Sequence, residues 1–491
     1  MTPATPPAAT NGTLPELSRR STWRDLPRLL VILWRLTPLV VSLLRDRRRW
    51  LWFGAGATRD ATFHARRAER IVREVAALGP AFVKLAQIFA ARADLIPEPY
   101  LGALATLTDQ VPAEPWSAIR ATLTRSWQAD PDHMVQALDP VPLAAGSLGQ
   151  VHRALYAGLP VVVKVLRPGV DAIVSRDVRL ARAIVAAVYR RWPHVHVHGV
   201  RVVLDEFAAH VGDEMDFERE ASHCERMRAR FADEPRLRIP RVITGLTRRE
   251  VLVLEYLEGT RVDQLDQALA AGRVSLQALL ETLIATYARM MLRDGVFHAD
   301  PHPGNLLVDP DGRLVLLDFG MVIEVPAATR RALFDTILAA IRRDPAGTTQ
   351  GFEALGMVAP GTDPAMMEEL VETLLGIAYS ETATIERARI LADRVMRELF
   401  NWPIVLPGEL VYFARTAALI EGIGARYDRQ FNSIRVASPV VLRLRHELFA
   451  AMTGDGHPPT RLEVASAALG YLTGRAVRTV RRLLREGAPS A

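Results

Sequence analysis

The chain has 491 residues, of which 49% are hydrophobic and 24% charged, a composition typical of a folded globular protein with more than one domain. A single cysteine, Cys224, excludes an internal disulfide and any zinc site built from paired cysteines. The net charge is +6, but residues 19–49 alone hold nine arginines against two aspartates, a net charge of +7. Basic charge concentrated in this way favours an anionic membrane surface as a partner, and no nucleic acid partner is expected.

The first sixty residues contain two different segments. Residues 1–18 are rich in Pro, Ala and Thr, which predicts a disordered tail without a secretory signal peptide. Residues 19–60 form a basic amphipathic segment, and Arg35 and Pro38 interrupt its apolar stretch, 29–44. This stretch is short for crossing a bilayer, so no transmembrane span is predicted. Two interpretations remain open, a helix in the membrane interface and a helix packed on the protein's own core.

A helical region is predicted over residues 61–140. Its second helix, roughly Ala81 to Ala93, carries Lys84 and Gln87 three residues apart on one face, among apolar neighbours. A lone lysine on an apolar helix usually packs its stem while its ammonium reaches water. The residues alone therefore favour a surface position for Lys84.

Residues 141–258 have the pattern of a β-rich domain. A strand–turn–strand corner of small residues lets backbone N–H groups approach phosphate oxygens. The loop residues predicted to do so are Ala145, Gly146, Ser147, Gly149 and Gln150. Lys164 lies inside the apolar run 161–166, where a buried ammonium needs a carboxylate or a phosphate as its partner. An exposed lysine on an edge strand is the alternative.

Two later segments complete this β-rich domain. Residues 214–220 form an acidic stretch on a predicted helix, and one of its carboxylates is the natural partner for Lys164. A buried strand then ends near Glu255 and Leu257, where an adenine could hydrogen-bond to the backbone at a hinge between two lobes. The alternating histidines at 194–198 have no nearby cysteine or acid, and a polar loop is expected there.

The most informative motif joins Asp300, Asn305 and Asp318. Asn305 follows Asp300 by five residues, and Asp318-Phe319-Gly320 comes after a predicted hairpin that turns at 309–312. The order and spacing match a kinase catalytic loop followed by its Asp-Phe-Gly segment. Asn305 and Asp318 are predicted to hold Mg²⁺ with ATP, because carboxylate and amide oxygens are the ligands that Mg²⁺ prefers. Asp300 is predicted to orient or deprotonate the attacking hydroxyl or water.

The segment after Gly320 limits the acceptor. Only residues 321–325 precede Pro326, which begins a new helix, and no Ala-Pro-Glu motif closes a long activation segment. Ala299 also stands where many kinases have an arginine. A peptide acceptor is therefore disfavoured.

The run Phe-His-Ala-Asp-Pro-His-Pro-Gly-Asn at 297–305 resembles the UbiB family of atypical kinase-like proteins, also called the AarF-domain or ADCK type. The resemblance covers roughly residues 60–440. The loop at 144–150 is similar to the family's replacement for the kinase Gly-rich loop. Lys84-Leu-Ala-Gln matches its Lys-x-Gly-Gln signature except at Ala86, and residues 214–216 resemble its Glu-x-Asp motif.

The resemblance implies an α+β, two-lobed kinase-like fold. The expected divisions are a helical extension at 61–140, a small β-rich N-lobe at 141–258, a helical C-lobe at 259–440 and a C-terminal helical tail at 441–491.

It also implies that the helix with Lys84 and Gln87 folds across the nucleotide site and meets Glu214 and Asp216. Glu220 is then left as the partner of Lys164. The methyl group of Ala86, in place of glycine, is expected to hold this helix slightly away from the site.

The function implied is that of a membrane-associated, Mg-dependent ATPase or small-molecule kinase that supports ubiquinone or other isoprenoid-lipid metabolism. An isoprenoid lipid or quinone precursor would be its ligand, and the cytoplasmic face of the cell membrane its location. Two alternatives stay open: a non-catalytic, nucleotide-gated lipid-binding switch, and a small-molecule kinase of the aminoglycoside-phosphotransferase type. The motifs at Lys84 and at Glu214–Asp216 disfavour the aminoglycoside-phosphotransferase type.

Overall fold

The computed structural model describes residues 22–45, 60–90, 99–108, 112–191, 195–299, 302–358, 362–379 and 407–453. The predicted N-terminal tail, Asp300 and most of the predicted C-terminal tail lie outside these ranges. The chain divides into two compact units. Unit 1 holds Met1–Glu258 and Val315–Met321, and unit 2 holds Gly259–Leu314 and Val322–Ala491. The Asp318-Phe319-Gly320 motif therefore belongs to unit 1.

Unit 1 combines helices with an antiparallel sheet. Its helices are α1 (Thr22–Arg45), α2 (Ala61–Leu78), α3 (Pro80–Ala90), α4 (Tyr100–Ala105), α5 (Trp116–Trp127), α6 (Pro131–Met134), α7 (Val170–Arg191), α8 (Val195–Glu214) and α9 (Phe217–Arg230). Its strands are β1 (Ala144–Ala145), β2 (Gly149–Tyr156), β3 (Leu159–Leu166), β4 (Leu237–Arg238) and β5 (Val251–Glu255). The sheet order is β1-β2-β3-β5.

The central strand β3 decides where Lys164 points. Val161, Val163 and Val165 are fully buried in a core cluster that includes Ile119 of α5. Because successive side chains alternate between the two faces of a strand, Lys164 lies on the face opposite this core. The apolar run is therefore a strand with one face packed on the core and the opposite face carrying Lys164.

Helix α1 is longer than the apolar stretch that the sequence marks. A 19-residue part of it, Asp25–Leu43, has a mean hydropathy of 1.6 and is long and apolar enough to cross a membrane by length and composition alone. Only 11% of that part is buried. A single helix of this kind near the N-terminus is weak evidence for a membrane span, and the finding is consistent with the prediction that none is present.

One face of α1 packs on unit 1. Ile32 and Leu39 are buried on this face, seven residues apart, which is two helical turns. Arg28 also belongs to it and donates to buried Asp177 of α7, with Nε 2.9 Å from Oδ1. The opposite face is exposed and apolar, and Trp34 has 73% of its surface exposed.

Two local predictions in unit 1 are wrong. Residues 195–198 begin α8 rather than forming a polar loop, because a helix through 214 gives their backbone C=O groups intrahelical partners. The single helix expected through the acidic stretch breaks at Met215–Asp216, and the side chain of Asp216 caps the N-terminus of α9.

Unit 2 is mainly helical. Its helices are α10 (Asp266–Ala270), α11 (Leu276–Ala288), α12 (Ala327–Ile341), α13 (Pro345–Ala354), α14 (Pro364–Ala378), α15 (Gly408–Tyr427) and α16 (Ser433–Thr453), with a π-helical turn at Arg289–Asp294. Its strands are β6 (Thr260–Arg261), β7 (Val296–His298), β8 (Leu306–Val308) and β10 (Val322–Glu324), and β9 (Leu314–Leu316) begins in it.

The predicted hairpin is present between β8 and β9. Gly312 has φ of 81° and donates to Asp309 O at 2.9 Å, and Asp309 N–H donates to Arg313 O at 3.0 Å. Glycine is suited to this left-handed position because it has no Cβ. The turn reverses the chain direction between β8 and β9.

Candidate active site

Three charged side chains meet on the face of the unit 1 sheet that carries Lys164. Lys164 Nζ donates to Oε1 and Oε2 of Glu220 at 2.8 and 2.9 Å, and to Oδ2 of Asp318 at 3.0 Å. β3 supplies the lysine, the first turns of α9 supply Glu220, and the residues after β9 supply Asp318. One ammonium therefore faces two carboxylates.

The pKa values of these groups follow from burial and mutual charge. Burial alone would lower the pKa of Lys164, but the charges of Asp318 and Glu220 outweigh it and hold the ammonium charged. Burial raises the pKa of Glu220 to about 7, against the opposing charge of Lys164. The pKa of Asp318 is well below its ordinary value, because Lys164 and the Gly320 N–H outweigh burial.

The Asp318 carboxylate is held from two sides. Its Oδ1 accepts from Gly320 N–H at 2.8 Å, and its Oδ2 accepts from Lys164. A Cβ at position 320 would lie 3.1 Å from Asp318 Oδ1 and 3.4 Å from Glu220 Oε2, so glycine allows this close approach. His223 Nδ1 of α9 lies 3.3 Å from Phe319 O and ties the motif to the helix that carries Glu220.

The aromatic ring of Phe217 is a site feature that sequence reasoning does not single out. Lys164 Nζ lies 5.1 Å from its centroid, within cation–π distance. Phe217 is fully buried at the start of α9. Phe217 directly follows the helix cap Asp216 in the sequence, but its contact with Lys164 exists only in the folded protein.

The predicted occluding residues occupy the neighbouring part of unit 1. Lys84 Nζ of α3 lies 2.7 Å from Oε2 of Glu214, the last residue of α8. Gln87 is half-buried on the same helix. Asp216 accepts from the N–H groups of Glu218 and Arg219. The structure thus joins Lys84 to Glu214, whereas the side chain of Asp216 serves as a helix cap.

Ala86 is buried in a cluster with Val83 of α3 and Leu104 of α4. Its methyl group therefore packs within the helical extension.

The predicted phosphate loop is a tight turn before β2. Gly146 N–H donates to Gly149 O at 2.8 Å. A Cβ at Gly149 would lie only 2.6 Å from Val165 O, so no side chain fits there. Ala145 pairs with Gln150 across β1 and β2, and Ser147 and Gln150 are buried.

The end of β5 is fixed by neighbouring backbone. Glu255 N–H donates to Arg241 O at 2.9 Å, and the Glu255 carboxylate lies 3.2 Å from the Arg238 guanidinium. Leu257 is buried two residues later. The side chain and the N–H of Glu255 are thus engaged with Arg238 and Arg241, and the adenine contacts at Glu255 and Leu257 stay a prediction.

In unit 2, Asn305 ends a single 3₁₀ turn, Pro303–Asn305. Its N–H donates to His302 O at 2.9 Å, and Nδ1 of His302 accepts from Gly304 N–H at 3.0 Å. The histidine and proline of the Asp-Pro-His-Pro-Gly-Asn run thus shape the turn that presents Asn305. Asp300 lies outside the described residues.

Asp318 suits a divalent cation. Two carboxylates facing one ammonium leave an excess negative charge, and about a third of the Asp318 side chain is exposed. Among the described ranges there is no cluster of three or more His, Cys, Asp or Glu side chains that could hold a metal by itself. A partly exposed carboxylate with this excess charge is the kind of donor that a hard divalent cation prefers.

Comparison with known proteins identifies the family. A family model described as the ABC1 atypical kinase-like domain matches residues 106–351. The chain belongs to this family. An ABC1-type relative, Protein ACTIVITY OF BC1 COMPLEX KINASE 3, chloroplastic, of Arabidopsis thaliana, is 31% identical over 76% of this chain and 53% of its own length. An uncharacterised protein of Synechocystis sp. is 33% identical over 79% of this chain and 70% of its own length.

A solved structure supports the fold assignment. The complex of Rv3197 with erythromycin from Mycobacterium tuberculosis has a TM-score of 0.54 and 23% sequence identity, and it covers 78% of this chain and 97% of that one. The α+β kinase-like fold expected from the sequence is confirmed, as is the resemblance to the ABC1 or UbiB type. At this level the ABC1 family supports a kinase-like enzyme of the phosphotransferase class.

Proposed function

We propose that the protein binds ATP and uses it for Mg-dependent hydrolysis or phosphoryl transfer. The proposal rests on the position of Lys164, whose Nζ lies 2.8 Å from Glu220 Oε1 and 3.0 Å from Asp318 Oδ2 within one compact unit. An ammonium held by a helix carboxylate beside an Asp-Phe-Gly aspartate is the arrangement by which kinases position nucleotide phosphates. Family membership supports the same chemistry at the coarser level.

In this proposal each residue has a defined task. Lys164, oriented by Glu220, neutralises the α- and β-phosphates, and the backbone of the loop at 146–150 covers them. Asp300 orients or deprotonates the attacking hydroxyl or water. The backbone of Glu255 and Leu257 hydrogen-bonds the adenine.

Asp318 and Asn305 would hold the Mg²⁺, which supplies charge neutralisation of the phosphate oxygens when it is bound. Glu220, whose pKa burial raises to about 7, binds Lys164 as a charged partner only while it is ionised. The chain therefore supplies a cation for the phosphates and, 3.0 Å from it, an anion for the metal.

We propose a small molecule or water, rather than a peptide, as the acceptor. After Gly320 the chain enters β10 at Val322, and α12 begins at Ala327. This leaves no long segment on which a peptide could dock. The family relationship supports an isoprenoid lipid or quinone precursor as the ligand, and ubiquinone or related lipid metabolism as the setting.

The test is ATP turnover by Asp318→Asn. We expect at least a 100-fold loss, because asparagine keeps the shape of the side chain but removes the negative charge that would hold the Mg²⁺. Asp311→Asn, an exposed position in the turn before β9, is the matched control and should retain full turnover. Retained turnover in Asp318→Asn would exclude this role for Asp318. Nucleotide-dependent thermal stabilisation of the wild type without any turnover would favour the nucleotide-gated switch instead.

We also propose that α1 binds an anionic membrane surface. Eight large apolar side chains on this helix are exposed, more than on all other described elements together: Leu26, Leu30, Val31, Leu33, Trp34, Val40, Val41 and Leu43. A basic cluster follows at 45–49. An apolar face with flanking arginines suits the boundary layer of an anionic bilayer, and the ion-paired opposite face keeps the helix attached to unit 1.

Flotation with anionic liposomes tests this membrane proposal. The double variant Leu30→Glu, Trp34→Glu should lose most of its liposome binding, since both side chains are exposed and their change leaves the packed face intact. Leu159→Glu, an exposed apolar position at the start of β3, is the control and should float like the wild type. Equal flotation of all three proteins would rule out α1 as the contact.

A further inference from the structure

Arg167 is a buried arginine beside the candidate phosphate loop, and the proposed function gives it no task. Arg167 follows β3 directly, three residues after Lys164, and only 9% of its side chain is exposed. Its guanidinium donates to three different oxygens: Nε to Gly146 O at 3.0 Å, Nη1 to Glu114 Oε1 at 2.6 Å and Nη2 to Pro112 O at 2.6 Å. Every nitrogen of the guanidinium therefore has an acceptor.

Arg167 fixes two peptide groups of the loop. The side chain grips the carbonyl of Gly146, and the backbone N–H of Arg167 donates to Leu148 O at 2.9 Å. In a trans peptide the C=O of one residue and the N–H of the next point in opposite directions. With both carbonyls turned toward Arg167, the N–H groups of Ser147 and Gly149 are directed away from it.

The segment that precedes α5 binds both Arg167 and the end of the loop. Glu114 N–H donates to Gln150 Oε1 at 2.8 Å, and Gln150 is fully buried. Arg167 binds the Glu114 carboxylate and Pro112 O in the same segment. The loop is thus fastened at both of its ends, through Gly146 and Gln150, to one short piece of chain at 112–114.

We propose that Arg167 is a positioning residue that presents the N–H groups of Ser147 and Gly149 to a nucleotide phosphate. Two N–H groups held in a fixed direction form a pre-arranged anion-binding concavity, and a loop free to rotate its peptides would have to be ordered on binding. Arg167 does not contact the phosphate in this scheme, since its donors are used by the protein. The inference rests on the proposed nucleotide-binding function and assigns the source of its phosphate affinity.

The experiment compares the affinities of the full-length protein for ATP and for adenosine, by calorimetry or by displacement of a fluorescent nucleotide. In Arg167→Lys the charge is kept, but a single ammonium cannot reach all three acceptors. We expect ATP affinity to fall about tenfold or more, the usual size of a lost hydrogen bond to a charged group, and adenosine affinity to change less than about threefold.

A variant outside the loop and its contacts serves as the control. Arg125→Lys alters an exposed arginine of α5 paired with Glu250 and should leave both affinities unchanged.

A loss for ATP alone in Arg167→Lys supports the inference. Unchanged ATP affinity overturns it, and so does an equal loss for ATP and adenosine, which would mean that Arg167 only maintains the fold. A wild type that binds neither compound overturns the proposed nucleotide function itself, and this inference with it.

Discussion

The ion pair between Lys84 and Glu214 joins α3 to the end of α8 and allows a quantitative test of the helical extension. The two charges lie 2.7 Å apart, and their side chains are only 15% and 9% exposed. At an effective dielectric constant of 20 the attraction is about 6 kcal/mol before desolvation is subtracted. Removing one partner of such a buried pair leaves the other charge uncompensated and typically costs about 3–5 kcal/mol.

We therefore expect Lys84→Met and Glu214→Gln each to lower the free energy of unfolding by about 3 kcal/mol. The double variant should lose much less than the sum, because no uncompensated charge remains, so the coupling energy should be about 2–3 kcal/mol. Urea denaturation with an unchanged m-value is the assay.

The exposed pair Arg125–Glu250, at 56% and 35% exposure, provides the matched cycle. Its coupling energy should stay below about 1 kcal/mol, because solvent screens both charges. If the Lys84–Glu214 cycle gave a coupling as small as this surface pair, the helix would not be held by its buried charges. The attachment of α3 would then rest on its apolar contacts alone.

Three further predictions concern unit 1. The kcat/KM for ATP should fall as the pH drops through about 7, because Glu220 then takes up a proton and Lys164 loses one of its two charged partners. A Glu220→Gln variant should show no such transition in its pH–rate profile. Gly149→Ala should lower the free energy of unfolding by about 1–3 kcal/mol, since its Cβ would lie 2.6 Å from Val165 O. Arg28→Met should cost about 3 kcal/mol in urea denaturation by leaving fully buried Asp177 without its main partner, and wild-type stability would refute this role for Arg28.

The sequence contains the three charged residues Lys164, Glu220 and Asp318, but it does not show that their side chains meet in the folded chain. A lysine within an apolar strand demands an anion, and this requirement is local. Four carboxylates at 214–220 could have met it, and spacing alone does not choose among them. The break between α8 and α9 decides, because it turns Glu214 toward Lys84 and leaves Glu220 to pair with Lys164.

The sequence by itself determined the local elements of this protein. The β2–β3 corner, the glycine turn before β9 and the apolar character of α1 each follow from neighbouring residues, because turn chemistry and side-chain alternation act over a few positions. The family motif added the kinase-like fold class.

Only the tertiary structure decided which face of α1 packs on unit 1 and which acceptors the Arg167 side chain binds. Arg28 finds Asp177 across 149 residues, and Arg167 finds Pro112 across 55 residues. Neither contact has a signature in the spacing of nearby residues, because a buried guanidinium selects its acceptors by distance in the folded chain. The parts of the site that depend on such long-range pairing are therefore the parts that the sequence left open.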